Sequence, residues 1–217
     1  MIKLLIFDCD GILTEYPLET WLRKSKNFLR RYGIDFKHQD LLWNNTKKLV
    51  IIGNISLEKS QDMIFKKLGL NETLIRKWRR MDVMIVKTIT KIKPLVRSTL
   101  KKLNKKYKMA VLSDSVHNRM IKSAMLKNKK IDKFFDAVFC SCDIGYQKPE
   151  KEAYFTVLNY FKIKPEEAIF IGHSKDEIEG ARKYKMRTIA IDWDKETKSD
   201  FYVKKFSEIP KILEKIK

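Results

Sequence analysis

The most constraining feature of this chain is an apolar run that ends on two aspartates. Residues 4–7 are Leu-Leu-Ile-Phe, and Asp8 and Asp10 follow. The run is typical of a buried strand of a parallel sheet, and ligands bind such sheets at the carboxyl ends of the strands. Two neighbouring carboxylates repel each other unless a cation binds between them. The pair therefore predicts a hard divalent cation, usually magnesium, and a carboxylate that can attack a phosphoryl group. A polar turn at Asp10-Gly11 is the simpler alternative.

Strand and helix patterns alternate along the rest of the chain after residue 93. Helical patterns cover residues 118–127, 150–161, 177–184 and 207–216. This alternation predicts an α/β fold with a doubly wound parallel sheet, covered by helices on both faces. The predicted strands cover residues 3–7, 109–112, 137–140, 168–171, 188–191 and 201–203.

Residues 16–92 show helical periodicity and no strong strand pattern. Gly69 reads as a helix C-cap and Asn71 as the N-cap of the next helix. We therefore predict an α/β core of residues 1–15 and 93–217, with a small helical bundle of residues 16–92 inserted after the first strand. The predicted apolar stripes of this bundle include Leu18, Trp21, Leu22, Phe28, Leu29, Leu41, Leu42, Leu49, Val50, Met63, Ile64, Leu68, Leu74, Ile75 and Trp78.

Three further segments carry polar side chains at predicted strand ends. The hydroxyl of Ser113 can hold an anionic oxygen or cap a helix. Lys148 precedes Pro149, which restricts its backbone, so the ammonium can be held near the two leading aspartates and neutralise charge there. Asp176 and Glu177 precede a predicted helix, where acidic residues also favour the helix dipole.

The segments DCDGIL, VLSDS, GYQKPE and IFIGHSKDEIEGA, in this order, resemble the haloacid dehalogenase superfamily of hydrolases. The resemblance covers residues 1–15 and 93–217. Within this superfamily, the chain is similar to the phosphoglycolate phosphatase and beta-phosphoglucomutase-like branch. It implies a Rossmann-like core and a helical cap that selects the substrate. An acid two residues after the nucleophile, as at Asp10, favours phosphoryl transfer over dehalogenation.

The resemblance also implies roles for single residues. Asp8 would be the nucleophile that forms an aspartyl-phosphate. Asp10 would protonate the leaving alcohol and then activate water. Lys148 would stabilise the charge on the nucleophile and on the phosphoryl group. The implied substrate-binding residues are Gly11, Ser113, Asp114 and Lys148.

The implied metal is Mg²⁺, bound by Asp8, by the backbone carbonyl of Asp10 and by an acid of the last segment, either Asp176 or Glu177. The sequence departs from the family at His173, where an aspartate is usual, because imidazole is a poor ligand for magnesium. Three interpretations follow. An acid of the last segment reaches the metal, His173 recruits another divalent ion such as manganese or nickel, or metal binding is weakened and the enzyme is slow.

A formal net charge of +20 favours acidic partners, either phosphorylated metabolites or nucleic acid. Residues 76–80, with Trp78 among basic residues, are the candidate for binding single strands, and residues 101–108 are another basic stretch. Trp78 also fits a helix stripe, and core packing is favoured for it. Cys140 and Cys142 lack a second thiolate pair and are not predicted to bind a metal. His38 and His117 lack acidic or thiol neighbours at ligand spacing and are predicted to be structural.

These patterns predict a metal-dependent phosphatase that acts on a small phosphorylated metabolite through an aspartyl-phosphate. A phosphomutase, or a weakened relative that binds nucleotide or nucleic acid, is the alternative. Three cysteines are too few for a disulfide framework, and neither a signal peptide nor a membrane-spanning segment is evident. We therefore expect a cytoplasmic protein without membrane partners, as a monomer or homodimer.

Overall fold

A six-stranded parallel sheet forms the centre of the protein, as shown by a computed structural model that describes residues 1–216. Lys217, the last residue of the predicted core, lies outside the described residues. The strand order β5-β4-β1-β6-β7-β8 places β1 between β4 and β6. The sheet confirms the predicted doubly wound α/β class. Its strands are β1 (Leu4–Phe7), β4 (Lys108–Ser113), β5 (Ala137–Cys140), β6 (Ala168–Gly172), β7 (Arg187–Ile191) and β8 (Phe201–Val203).

The first strand is buried on both faces, as its continuous apolar run predicts. Leu5 and Phe7 belong to the apolar layer on one side of the sheet, and Leu4 and Ile6 to the layer on the other side. Successive side chains of a strand point to opposite faces, so an unbroken apolar run is required when helices cover both faces.

The helices after residue 93 lie close to their predicted positions. Asn118 caps the helix of residues 119–128, because its Oδ1 accepts from the Ile121 backbone N–H at 3.1 Å. Pro149 lies directly before Glu150, the N-cap residue of the helix at residues 151–161. The helices are α5 (Val96–Leu103), α6 (Arg119–Asn128), α7 (Ser141–Ile144), α8 (Lys151–Phe161), α9 (Lys175–Lys183) and α10 (Ile209–Lys215).

Four helices form the segment inserted after β1, and they pack around the buried ring of Trp78. Four residues assigned to apolar stripes are exposed, so that assignment was wrong for them: Leu18 (54%), Leu41 (63%), Leu49 (41%) and Met63 (53%). A small bundle has a narrow core, and its helices keep apolar residues on their outer faces as well. The helices are α1 (Leu18–Arg30), α2 (Phe36–Ile51), α3 (Leu57–Lys67) and α4 (Glu72–Met84).

The two chain crossings between the bundle and the core run side by side. The short strands β2 (Thr14–Glu15) and β3 (Lys91–Ile92) pair antiparallel, and a π-helical turn at Ile85–Ile89 extends α4 towards β3. The boundaries predicted at residues 15/16 and 92/93 fall at the ends of this pair. None of the helices in residues 1–216 has the length and apolar character that a membrane span requires.

Candidate active site

The strand order brings three of the predicted motifs to one edge of the sheet. Asp8 follows β1, Ser113 ends β4, and Gly172 ends β6, and β1 lies between the other two strands. The backbone N–H of Asp8 donates to the carbonyl of Ile171 at 2.9 Å, which continues the ladder into the site. The chain therefore places an acid, a hydroxyl and a loop with further acids side by side at strand ends, where open sheets bind ligands.

Asp8 and Lys148 form a buried ion pair at the centre of this edge. The Lys148 ammonium donates to Asp8 Oδ1 at 2.6 Å, and the two residues are 4% and 6% exposed. Lys148 also donates to the Leu112 carbonyl at 3.3 Å, while its backbone N–H donates to Asp114 Oδ1 at 3.2 Å. The lysine is therefore fixed at both its backbone and its side chain, as a group that must meet developing charge should be.

Further acidic side chains lie near Lys148 and affect its pKa. Burial disfavours the ammonium, but Asp8 and then Glu177 outweigh burial and raise the pKa of Lys148. Glu177 Oε2 lies 3.0 Å from Lys148 Nζ, without the alignment of a hydrogen bond. Burial raises the pKa of Glu177 to about 7. The positive charge of Lys148 opposes this shift, and the negative charge of Asp8 adds to it. Burial also raises the pKa of Asp114.

Asp10 has a cationic partner of its own, which the sequence analysis missed. Lys122 on α6 is 3% exposed and places Nζ 2.5 Å from Asp10 Oδ2, while the Thr14 hydroxyl donates to Oδ1 at 3.1 Å. Lys122 lies on the same helix face as the buried residues Met125 and Leu126. A lysine within an apolar helix stripe requires an acidic partner, and this was the signal available in the sequence.

Gly11 and His173 lie against each other beside the nucleophile. Gly11 has a φ of +87°, and a Cβ at this position would lie 2.8 Å from His173 Nε2. The same imidazole nitrogen lies 3.6 Å from Asp8 Oδ2. Glycine is therefore required by both its backbone conformation and the close approach of the imidazole ring. Asp176 is exposed in the first turn of α9 and does not join this group.

Comparison with known proteins identifies the family. The sequence matches the profile of the haloacid dehalogenase-like hydrolases over residues 5–191. The chain belongs to this family. Among curated proteins, it is 25% identical over 228 residues to the pyrophosphatase PpaX of Bacillus mycoides, covering 99% of this chain and 98% of that one. It is 26% identical over 228 residues to the glyceraldehyde 3-phosphate phosphatase of Pyrococcus furiosus, covering 98% and 92%.

Solved structures share the fold of this haloacid dehalogenase-like hydrolase. A 2-haloacid dehalogenase from Pseudomonas syringae has a TM-score of 0.79 at 19% identity, covering 99% of both chains. A putative beta-phosphoglucomutase from Thermotoga maritima has a TM-score of 0.69 at 20% identity, covering 100% of both chains. At these identities the likeness establishes the architecture alone.

The side chains of residues 1–216 of this hydrolase are not arranged as a magnesium site. Within residues 1–216, no three His, Cys, Asp or Glu side chains are grouped closely enough to hold a metal ion. The carboxyl group of Asp10 contacts Lys122, and that of Glu177 contacts Lys148. His173 approaches Asp8 with a nitrogen. Magnesium prefers oxygen ligands, so this donor set does not fit it as arranged. The magnesium predicted from the resemblance, and its ligands Asp8, Asp10, Asp176 and Glu177, stay predictions.

A second buried acid lies where the helical bundle meets the core. Asp82 on α4 is 5% exposed, and its Oδ1 accepts from the Trp21 indole N–H at 2.8 Å. Its Oδ2 lies 3.7 Å from His117 Nε2. His117 has no acidic neighbour at ligand spacing in the sequence, because Asp82 belongs to a helix that is remote in the chain. This contact connects the bundle to the loop that follows Ser113.

Proposed function

We propose that this hydrolase is a phosphatase that cleaves a small phosphomonoester through an aspartyl-phosphate at Asp8. The buried Asp8–Lys148 ion pair carries the proposal, since it holds a carboxylate at the carboxyl end of the central strand beside a fixed ammonium. The similarity to a pyrophosphatase and to a glyceraldehyde 3-phosphate phosphatase supports phosphate as the transferred group.

The proposed reaction has two steps. A carboxylate oxygen of Asp8 bonds to phosphorus while the bond between phosphorus and the ester oxygen breaks, and the departing oxygen takes a proton from Asp10. Water then attacks phosphorus and gives a proton to Asp10, which releases phosphate and restores the Asp8 carboxylate. Phosphoryl transfer requires mainly alignment and charge neutralisation, and Lys148 supplies a positive charge beside the nucleophile.

Ser113, Asp114 and Gly11 complete the proposed phosphoryl site. Ser113 is 1% exposed at the end of β4, adjacent to Asp8 in the sheet. The backbone N–H groups of the loops after β1 and β4 can donate to phosphoryl oxygens. His173 adds a nitrogen near the other carboxylate oxygen of Asp8, since it approaches Oδ2 while Lys148 contacts Oδ1.

The candidate segment for single strands at residues 76–80 does not present its aromatic ring at the surface. Trp78 is 2% exposed, in contact with the rings of Phe28 and Phe65, so it is not available for base stacking. Arg79 is paired with Asp62 at 2.7 Å. The packing role expected for Trp78 is thus the one observed. The phosphomutase alternative is tested by product analysis, because a mutase returns a phosphorylated isomer and no free phosphate.

The test is release of phosphate from an aryl phosphate by the purified chain, with Mg²⁺ and with EDTA in parallel. We expect Asp8→Asn to abolish turnover, and Asp40→Asn, an exposed acid on α2, to retain it. Borohydride added during turnover should reduce the acyl phosphate at residue 8, which mass spectrometry of the peptide detects. Turnover by Asp8→Asn at the wild-type rate would overturn the proposal. The EDTA arm tests the predicted metal requirement separately.

A further inference from the structure

A cavity of about 260 Å³ lies between the helical bundle and the core. Three of the chain's four tryptophans line it, each from a different helix of the bundle. They are Trp21 on α1, Trp43 on α2 and Trp78 on α4, and Phe65 on α3 adds a fourth ring. Aromatic rings are rigid and favour the faces and edges of other rings, so this lining suits a flat aromatic group better than a flexible polar one.

The core contributes the other wall of this cavity from segments next to the proposed phosphoryl site. Tyr16 directly follows β2, which is joined to Asp10 through Thr14, and Val116 and His117 follow Ser113 on the loop after β4. The cavity wall is therefore continuous in the chain with the loops that carry Asp10 and Ser113.

Two buried acceptors on the cavity wall have no hydrogen-bond partner among the residues that the structure describes. Gln39 and His117 are each 5% exposed, and neither Gln39 Oε1 nor His117 Nδ1 makes a hydrogen bond. Asp82 Oδ2 lies 3.7 Å from His117 Nε2, which favours the tautomer with the proton on Nε2 and leaves Nδ1 as an acceptor. Buried polar atoms are almost always satisfied, and leaving one unpaired costs free energy that a bound donor recovers.

We propose that this cavity binds the alcohol portion of the substrate, and that this portion is an aromatic group carrying an O–H or N–H donor. The ring packs among the tryptophans, and its donor meets Gln39 or His117. The inference rests on the proposed phosphatase function for the reaction, but binding of the free alcohol does not depend on it. It predicts a preference that neither pyrophosphate nor a triose phosphate would satisfy.

Four esters with similar alkyl leaving groups test this preference. They are 2-(4-hydroxyphenyl)ethyl phosphate, 2-phenylethyl phosphate, 2-cyclohexylethyl phosphate and glycerol 3-phosphate, with pyrophosphate as a fifth compound. We expect kcat/KM to fall by about tenfold when the ring hydroxyl is removed, as one recovered hydrogen bond predicts. We expect a further fall from phenyl to cyclohexyl, and the lowest values for glycerol 3-phosphate and pyrophosphate. Equal values for all five compounds would overturn the proposal.

Two variants on one helix localise the effect. Gln39→Leu removes a buried acceptor at similar volume, and we expect it to reduce the preference for the hydroxylated ester over 2-phenylethyl phosphate. Asn45→Leu makes the same type of change at an exposed position of α2, and should keep the wild-type ratio. An unchanged ratio in Gln39→Leu and in His117→Phe would overturn the assignment of the two acceptors.

Binding of the alcohol alone separates this inference from the phosphatase proposal. With excitation at 295 nm, 2-(4-hydroxyphenyl)ethanol should change the tryptophan fluorescence of wild-type protein and of Asp8→Asn to the same extent. If it binds but no ester is hydrolysed, the pocket is supported and the phosphatase proposal fails. If esters are hydrolysed but the alcohol neither binds nor inhibits, the pocket proposal is overturned while the phosphatase proposal holds.

Discussion

Asp8 lies between two basic side chains of different chemistry. Lys148 contacts Oδ1 as a buried ammonium, and His173 approaches Oδ2 with a partly exposed imidazole. An ammonium neutralises charge wherever it is held, whereas an oxygen ligand at position 173 would attract a hard cation. We therefore expect the identity of residue 173 to affect how well this side of Asp8 binds a cation.

We predict that His173→Asp raises the affinity for Mg²⁺ and Mn²⁺ by about tenfold or more, because a second carboxylate then faces Asp8 and an added ligand has effects of this size. Calorimetry with Mg²⁺ and electron paramagnetic resonance with Mn²⁺ measure this without reference to activity. His173→Asn is the matched control, since it changes shape equally but adds no charge. Equal Mn²⁺ affinities of the wild type and His173→Asp would contradict the prediction.

Lys122 is a positioning residue for Asp10. Its ammonium lies 2.5 Å from the carboxyl group that the proposed reaction uses for both proton transfers. We predict that Lys122→Met lowers kcat by about tenfold to a hundredfold, within the range expected for general acid–base catalysis, and changes KM little. Steady-state kinetics on one ester measure both constants. Lys127→Met, an exposed lysine on the same helix, is the control, and wild-type kcat in Lys122→Met would exclude the role.

The sequence predicted these site residues unequally. Asp8 and Ser113 each lie within a short motif at a strand end, and the sheet order brings these ends together. Lys148 was also predicted at a strand end, but it follows the short helix α7 that comes after β5, so the sheet order alone does not place it. Lys122 and Asp82 act through contacts between elements that are remote in sequence, namely α6 with the loop after β1, and α4 with the loop after β4. Local patterns carry no information about which helix turns a lysine or an aspartate towards the site.

At the level of elements, the strands follow from the sequence more closely than the inserted helices do. A strand buried on both faces must be apolar throughout, and β6 and β7 match their predicted segments to within one residue. The bundle helices bury only a narrow stripe, so Leu41 and Met63 can be exposed although they fit the helical period. Capping residues are local signals, and the predicted cap Asn71 is confirmed by its hydrogen bond to the Leu74 N–H at 3.1 Å.

We predict that Asn71→Ala destabilises the bundle by about 1 kcal/mol, because the cap bond at the start of α4 is lost. Urea unfolding followed by tryptophan fluorescence measures this, since Trp21, Trp43 and Trp78 all belong to the bundle. Asn45→Ala in the interior of α2 is the control, and should be slightly stabilising because alanine favours the helix. A loss of stability in both variants, or in neither, would contradict a capping role.

At the scale of the whole molecule, the bundle and the core meet through the loop after β4. The chain of contacts runs from Trp21 through Asp82 to His117, and Ser115 holds that loop by accepting from the His117 N–H at 3.0 Å and donating to its carbonyl at 2.7 Å. Because this polar contact lies at the boundary, we expect the protonation state of His117 to affect how strongly the bundle and the core are held together.

The pH dependence of stability tests this coupling. Burial lowers the pKa of His117 below 6.5, and Asp82 opposes the shift only in part. At pH values between the pKa of His117 in the folded protein and 6.5, the unfolded chain binds a proton at this residue and the folded chain does not. The contribution of His117 to the free energy of unfolding is therefore fully present above pH 6.5 and decreases as the pH falls below 6.5. Glu177, with its pKa raised, acts in the opposite direction and is common to all the proteins compared.

We therefore predict that wild-type protein loses up to about 1.4 kcal/mol of unfolding free energy per pH unit, as one proton allows, relative to His117→Gln between pH 6.5 and 5.5. Urea unfolding curves recorded at intervals of about 0.25 pH unit resolve this slope. His38→Gln is the matched control, because His38 is exposed on α2 and its removal should leave the wild-type slope unchanged. If His117→Gln keeps that slope as well, protonation of His117 does not destabilise the junction between bundle and core.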